Sequence, residues 1–276
     1  MRLLASATFD AHTEGGVGSG LAAWFGAALD GPLRDLTAED RQGIGASYAG
    51  TQADESSSRQ DFSPVSARWP AMRAELLRAP ETAHVRFHRE RSYKPVAQVH
   101  SSSIIVRRPN AEASLLFDET EAAPDDPASC ARAVGFLVAA LDGVGPAFAR
   151  LGADDEPRIE HTGLDLVLGR KVRRSVVEAR TFLRGYSWTT VCPAELIDRL
   201  GGAAGLRASG AFHSVVPLTA GGVVLQATAS IAEFSDETLR QVFEALRPVL
   251  PPGTPRPDPA HPELRFIAED AGGTGS

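Results

Sequence analysis

The sequence is short of several things, and each shortage removes a class of function. Only two of its 276 residues are cysteine, Cys130 and Cys192. That is too few for a disulfide framework or a thiolate metal site, so a reducing, cytoplasmic setting is the expectation. Lysine is nearly missing as well. Lys94 and Lys171 stand alone among 28 basic residues, and this arginine skew, with abundant Ala and Gly, has the look of a GC-rich coding bias. Acidic residues number 35, giving a net charge of −7. That is the wrong sign for a general nucleic-acid binder, which must neutralise phosphate. The longest apolar run, Ala133 to Leu141, is under half of the roughly 20 residues a membrane helix needs. The opening Met1-Arg2-Leu3-Leu4 runs into Thr8 and Asp10 rather than a signal-like core, so neither a membrane span nor a leader is expected.

Catalytic signatures are equally scarce. The chain holds no G-x-S-x-G, no H-E-x-x-H, no Walker-type lysine loop and no paired-cysteine zinc spacing. The acidic clusters at Asp118 to Glu121 and Asp154 to Glu156 lack the alternating oxygen ligands of a calcium loop. Cys130 falls on an apolar helix face and Cys192 at a strand end before Pro193, which suits small buried hydrophobes better than nucleophiles. The expectation is no cofactor and no metal, with enzymatic activity left open and leaning to none.

What is present is the ordinary material of a globular protein, 43% hydrophobic and 23% charged. Arg2 to Phe9 reads as a strand. Leu21, Trp24, Phe25, Ala28 and Leu29 share one helix face, and Asp30-Gly31-Pro32 ends that helix. Asp35 to Pro64 reads as a polar surface connection, followed by a short helix from Pro70 to Leu77. Three β-like runs, Ala83 to Arg89, Val96 to Arg107 and Ala113 to Asp118, are joined by hairpin-length links and predict an antiparallel meander. Asp125 to Asp142 predicts a largely buried helix, Arg158 to Leu168 a strand, and Val172 to Leu183 a helix. A strand follows at Tyr186 to Val191, then a helix from Pro193 to Leu200. Phe212 to Pro217 and Val223 to Thr228 flank a Gly221-Gly222 hairpin turn, and a last helix begins at the N-cap Ser235. The fold class expected is α+β, antiparallel sheet with helices packed on one face. Residues 1–250 form a single domain or two similar halves, 1–150 and 151–250, and residues 251–276 form a Pro/Gly-rich tail.

Three local features could carry function. Gly15 to Gly20 follows a strand and opens a helix, as a phosphate-cradling loop would, yet no second parallel strand follows, so a surface turn is the competing reading. Strand alternation puts His84, Arg86, His88 and Glu90 on one face, with His100 on the next strand. That face is either solvated or a polar binding surface, and spacing supplies no third ligand for a metal. Arg170, Lys171, Arg173, Arg174, Arg180 and Arg184 against Glu178 give +5 within fifteen residues of a chain at −7, leaving −12 for the rest. Arg170, Arg173 and Arg174 are therefore candidate partner contacts, and a solvated helix face is the plain alternative.

One stretch is similar to a known family. Gly185-Tyr186-Ser187-Trp188-Thr189-Thr190-Val191, then Pro193-Ala194-Glu195-Leu196, then Arg199-Leu200-Gly201-Gly202, resembles bacterial immunity proteins of type VI secretion and other polymorphic toxins. The strand Gly222 to Gln226 and the closing Leu246-Arg247-Pro248 continue the match, which covers about residues 184 to 252. The resemblance implies a non-enzymatic α+β protein that binds and neutralises a cognate toxin, and it carries over no contact residue. The alternative is a small-molecule binder or enzyme using the His84, Arg86, His88 face or the Gly15 to Gly20 loop.

Overall fold

The computed structural model describes residues 3–37, 44–52, 56–62, 65–89, 95–102, 110–117, 125–153 and 161–273. The strands are β1 (Leu3–Asp10), β2 (Ile44–Thr51), β3 (Ser57–Phe62), β4 (Thr82–Arg89), β5 (Pro95–Ser102), β6 (Asn110–Leu116), β7 (Phe148–Ala153), β8 (Thr189–Cys192), β9 (Ser214–Pro217) and β10 (Val223–Gln226). The principal helices are α1 (Gly16–Asp30), α2 (Arg34–Thr37), α3 (Val65–Leu77), α4 (Pro127–Leu141), α5 (Gly163–Val167), α6 (Val172–Val177), α7 (Ala194–Ile197), α8 (Gly202–Ala208) and α9 (Asp236–Leu246). The strands form one ten-stranded sheet in the order β3-β2-β4-β5-β6-β1-β7-β8-β10-β9. Every adjacent pair is antiparallel. The chain is thus an α+β protein built on an antiparallel sheet.

Pleating sorts the side chains of this sheet into two faces. On β1, Leu3, Ala5, Ala7 and Phe9 point to one side and are all buried. Their register partners continue that side as Ala113 and Leu115 on β6 and Ala149 and Leu151 on β7. The stripe of α1 foreseen from spacing, Leu21, Trp24, Phe25 and Ala28, is fully buried in the same core. Trp24 meets Phe136 of α4 edge-on at 4.8 Å, and Phe136 meets Phe117 at 5.9 Å. Such aromatic pairs add about 0.5–1.5 kcal/mol each beyond the area they bury.

The opposite face of β1, β6 and β7 is polar: Ser6 and Thr8, Glu112 and Ser114, and Arg150. All five are nonetheless buried. Residues from 161 to 188 lie over part of this face, with the guanidinium of Arg184 5.9 Å from the ring centre of Phe148. Helical structure therefore covers both faces of the sheet, α1, α3 and α4 on one and the α5–α6 region on the other.

Four local expectations change. β2 and β3 pair as a hairpin within the stretch expected to be a polar connection: Ala46 and Tyr48 of β2 are buried in the core, while the edge strand β3 carries mostly polar residues and gives no apolar alternation. Residues 163–167 are helix, not strand: Thr162 caps α5 through the Asp165 backbone N–H, and the Asp165 carboxylate accepts from the Thr162 N–H. The helix read from 172 to 183 stops at Val177, and residues 178–182 turn back on themselves. Central β7 had no sequence signal, since a strand buried on both faces loses its alternation.

The motif around Trp188 is scaffold. The Trp188 indole N–H donates to the Thr228 carbonyl and hydroxyl, both at 3.1 Å, and the Gln226 amide donates to the Thr228 and Ala229 carbonyls. Gly201, at φ 74°, makes the left-handed turn that joins the helical turns on either side of it. The Pro-rich end packs down: Ile267 is buried, and its N–H donates to the Tyr186 hydroxyl at 3.0 Å.

Candidate functional site

Alternation holds on β4, and of the residues assigned to the histidine face the side chains of His84 and Arg86 are described. Val85 and Phe87 enter the core while His84 is half-buried and Arg86 exposed on the other side of β4. His84 sits opposite His100 in the β4–β5 register. Burial, and then the charge of Arg86, hold the His84 imidazolium below its usual pKa. His88 lies on β4 beyond the described side chains, and Glu90 lies outside the described residues altogether. Further along the same face, Ser114, Ser6 and Arg150 are buried, and Arg150 donates to Ser6 at 3.4 Å and to the His161 carbonyl. Among the described residues no group of three His, Cys, Asp or Glu side chains is placed to hold a metal.

The glycine run has a packing explanation. A Cβ on Gly18 would stand 2.5 Å from the Leu77 carbonyl oxygen, and one on Gly20 would stand 2.6 Å from the Phe9 ring. These glycines let α1 lie against the end of α3 and against β1. Both neighbours of β1 run antiparallel to it, so the strand–helix–parallel strand geometry of a dinucleotide site does not exist here.

The arginine-rich segment divides into structural and exposed members. Arg184 is 1% exposed; it donates to Glu112 at 2.6 Å, to Thr8 at 2.8 Å, to Ser175 at 3.1 Å and to Asp165 at 3.3 Å. Burial works against its charge, but Glu112 and Asp165 outweigh burial and its pKa is raised. Arg180 donates to Asp10, Glu195 and the Gly145 carbonyl, each at 2.8 Å. Burial would lift the Asp10 carboxyl, yet the Arg180 partner prevails and holds it below the ordinary value. Neither arginine lies on a solvated helix face, the reading their spacing suggested, because α6 ends before either.

Arg170, Lys171 and Arg174 remain on the surface side, where with the Pro251–Pro259 segment they line a groove of about 800 Å³. The Arg256 N–H donates to the Val167 carbonyl at 2.8 Å and fixes that segment against α5. Arg170 is anchored by Asp165 and Glu178, and Arg174 shares Glu178 at 2.8 Å while its own side chain is 73% exposed. Glu178 is correspondingly held low, first by Arg174. Arg173 is exposed beside the groove and is not part of its lining. Arg256 escaped the sequence reading; the only signal was a single cation between Pro255 and Pro257. The structure thus brings Arg170 and Arg174 into one groove and leaves His84 and Arg86 on β4, outside its lining.

No family model matches the chain, and no curated protein matches it. Among solved structures it is similar to the Pseudomonas aeruginosa T6SS protein PA0821, at 15% identity and a TM-score of 0.58, over 96% of this chain and 78% of that one. At that identity the likeness concerns the fold. Among the described residues no helix is long and apolar enough to cross a membrane.

Proposed function

We propose that this chain belongs to type VI secretion as an immunity-like protein of the bacterial cytoplasm that binds a cognate toxin and neutralises it without catalysis. The observation that carries the reading is the fold likeness to a T6SS protein along 96% of the chain. Support comes from the motif between Gly185 and Gly202, whose order resembles immunity proteins of polymorphic toxins and whose residues serve as scaffold. A protein of this kind needs a rigid platform and a specific surface rather than a reactive centre. Much of the chemistry-bearing material fits that need: Arg184, Arg180, Glu112 and Asp165 are consumed in internal pairs. A net charge of −7 suits capture of a basic toxin, because complementary charge accelerates encounter.

The test is co-expression. Each type VI effector gene of the source genome is induced in a heterologous host with and without this chain. One effector should arrest growth alone and lose its toxicity when this chain is present. Unrelieved toxicity across the whole set would overturn the reading.

A further inference from the structure

We propose that the groove between the α5–α6 region and the Pro251–Pro259 segment seats an extended, acidic stretch of the toxin. This rests on the immunity reading and assigns the surface and the chemistry of the contact. The lining carries four cations, Arg170, Lys171, Arg174 and Arg256, against two carboxylates, Glu178 and Asp258, in a chain whose overall charge is −7. Positive potential is therefore concentrated where the rest of the molecule is negative, which selects for partner carboxylates by complementarity.

The cations differ in availability. Lys171 and Arg256 are exposed, and neither is ion-paired among the described residues. Arg174 is paired only across a solvent-exposed i,i+4 bridge to Glu178. Such bridges are worth little, so Arg174 can exchange Glu178 for a partner carboxylate at small cost. Arg170 is different, since its side chain is 10% exposed and fixed by Asp165, and it serves as the rigid floor.

Volume and stiffness point to a peptide. About 800 Å³ is far more than one small anion fills and lies within the range of sites that hold drug-sized ligands. Prolines 251, 252, 257 and 259 line one wall, with Phe182 and Leu168 among the apolar lining. A wall with fixed φ angles loses little freedom on binding, which favours affinity. Nucleic acid fits poorly, because a chain of net charge −7 repels a polyanion along its whole length, whereas an acidic stretch on a basic toxin brings few negative charges and many positive ones.

The probe is a fluorescein-labelled peptide of alternating Glu and Val, eight residues long, followed by fluorescence anisotropy against the full chain. A matched Lys-Val peptide and a labelled oligothymidylate serve as comparisons. Saturable binding of the Glu-Val peptide alone is expected, weakened at least tenfold in K171E/R256E and retained in K171R/R256K. A photo-crosslinking version of the peptide should label residues within 166–182 or 251–259 of the wild-type chain, which keeps the test independent of variant folding. Preference for the Lys-Val peptide or the oligonucleotide, no saturable binding, an unchanged K171E/R256E, or crosslinks elsewhere would each overturn the proposal. Acidic-peptide binding without rescue from any effector would leave the groove standing and sink the immunity reading. Rescue with an unaffected K171E/R256E would do the reverse.

Discussion

At the residue scale Arg184 ties the sheet to the segment packed over it. Its guanidinium serves two carboxylates that lie far apart in sequence, Glu112 on β6 and Asp165 on α5, both essentially buried. Removing one partner of a buried ionic cluster leaves uncompensated charge, so R184A should cost about 3–5 kcal/mol in denaturant unfolding. R184M combined with E112Q should regain much of that loss, since Glu112 is no longer left as an orphaned charge and Asp165 keeps Arg170 as its partner. A second residue prediction concerns pH. The folded pKa of Asp10 is depressed by Arg180, so the stability it contributes is fully present above the unfolded value of about 3.9 and is lost as pH falls through the folded value. D10N should therefore flatten the acid limb of a stability–pH curve, and an unchanged limb would count against the pair. None of this was legible in the sequence. Arg184 reads as one more arginine of a basic run, and only the early end of α6 turns it inward toward a carboxylate 72 residues away.

At the element scale, sequence and structure agree where a face is unmistakably apolar. The stripes of α1, α4 and α9, the β4–β5–β6 meander and the Gly221-Gly222 hairpin were all readable from periodicity and turn residues. They diverge where tertiary context decides. β3 is an edge strand of almost wholly polar residues, β7 is hidden on both faces, and α5 is a five-residue helix held by its capping box. The glycines of α1 sat between these cases: their presence was plain, but the close approach they permit was not. G18A should clash with the Leu77 carbonyl and lower stability by about 1–3 kcal/mol, as overpacking does, measured by thermal or urea unfolding. G16A has no such neighbour within 4 Å, though its φ of 81° gives it a strain cost of its own. A G18A protein of wild-type stability would show that α1 and α3 are less tightly apposed than described.

At the scale of the whole molecule, one antiparallel sheet joins the early and late strands through β1 and β7, and the Pro-rich end is part of the body. Truncation after Pro251 should lower the melting temperature clearly, because it strips away Ile267, whose full burial is worth about 1.5–3 kcal/mol, and uncovers Tyr186. A truncated chain that melts with the full one would mean that the end does not dock. The same truncation removes Arg256 and one wall of the groove, so it should also abolish acidic-peptide binding. The groove itself was half legible: its cationic side appeared in the sequence as Arg170 to Arg174, whereas its proline side lies some eighty residues later and meets the first only through the fold. As proposed, the chain neutralises a toxin by binding it. The most direct test is isothermal titration of the purified chain with the purified type VI effector that it protects against, alongside an assay of that effector's activity. A saturable one-to-one complex and loss of toxin activity at the same stoichiometry are expected. Full toxin activity in the presence of excess protein would contradict it.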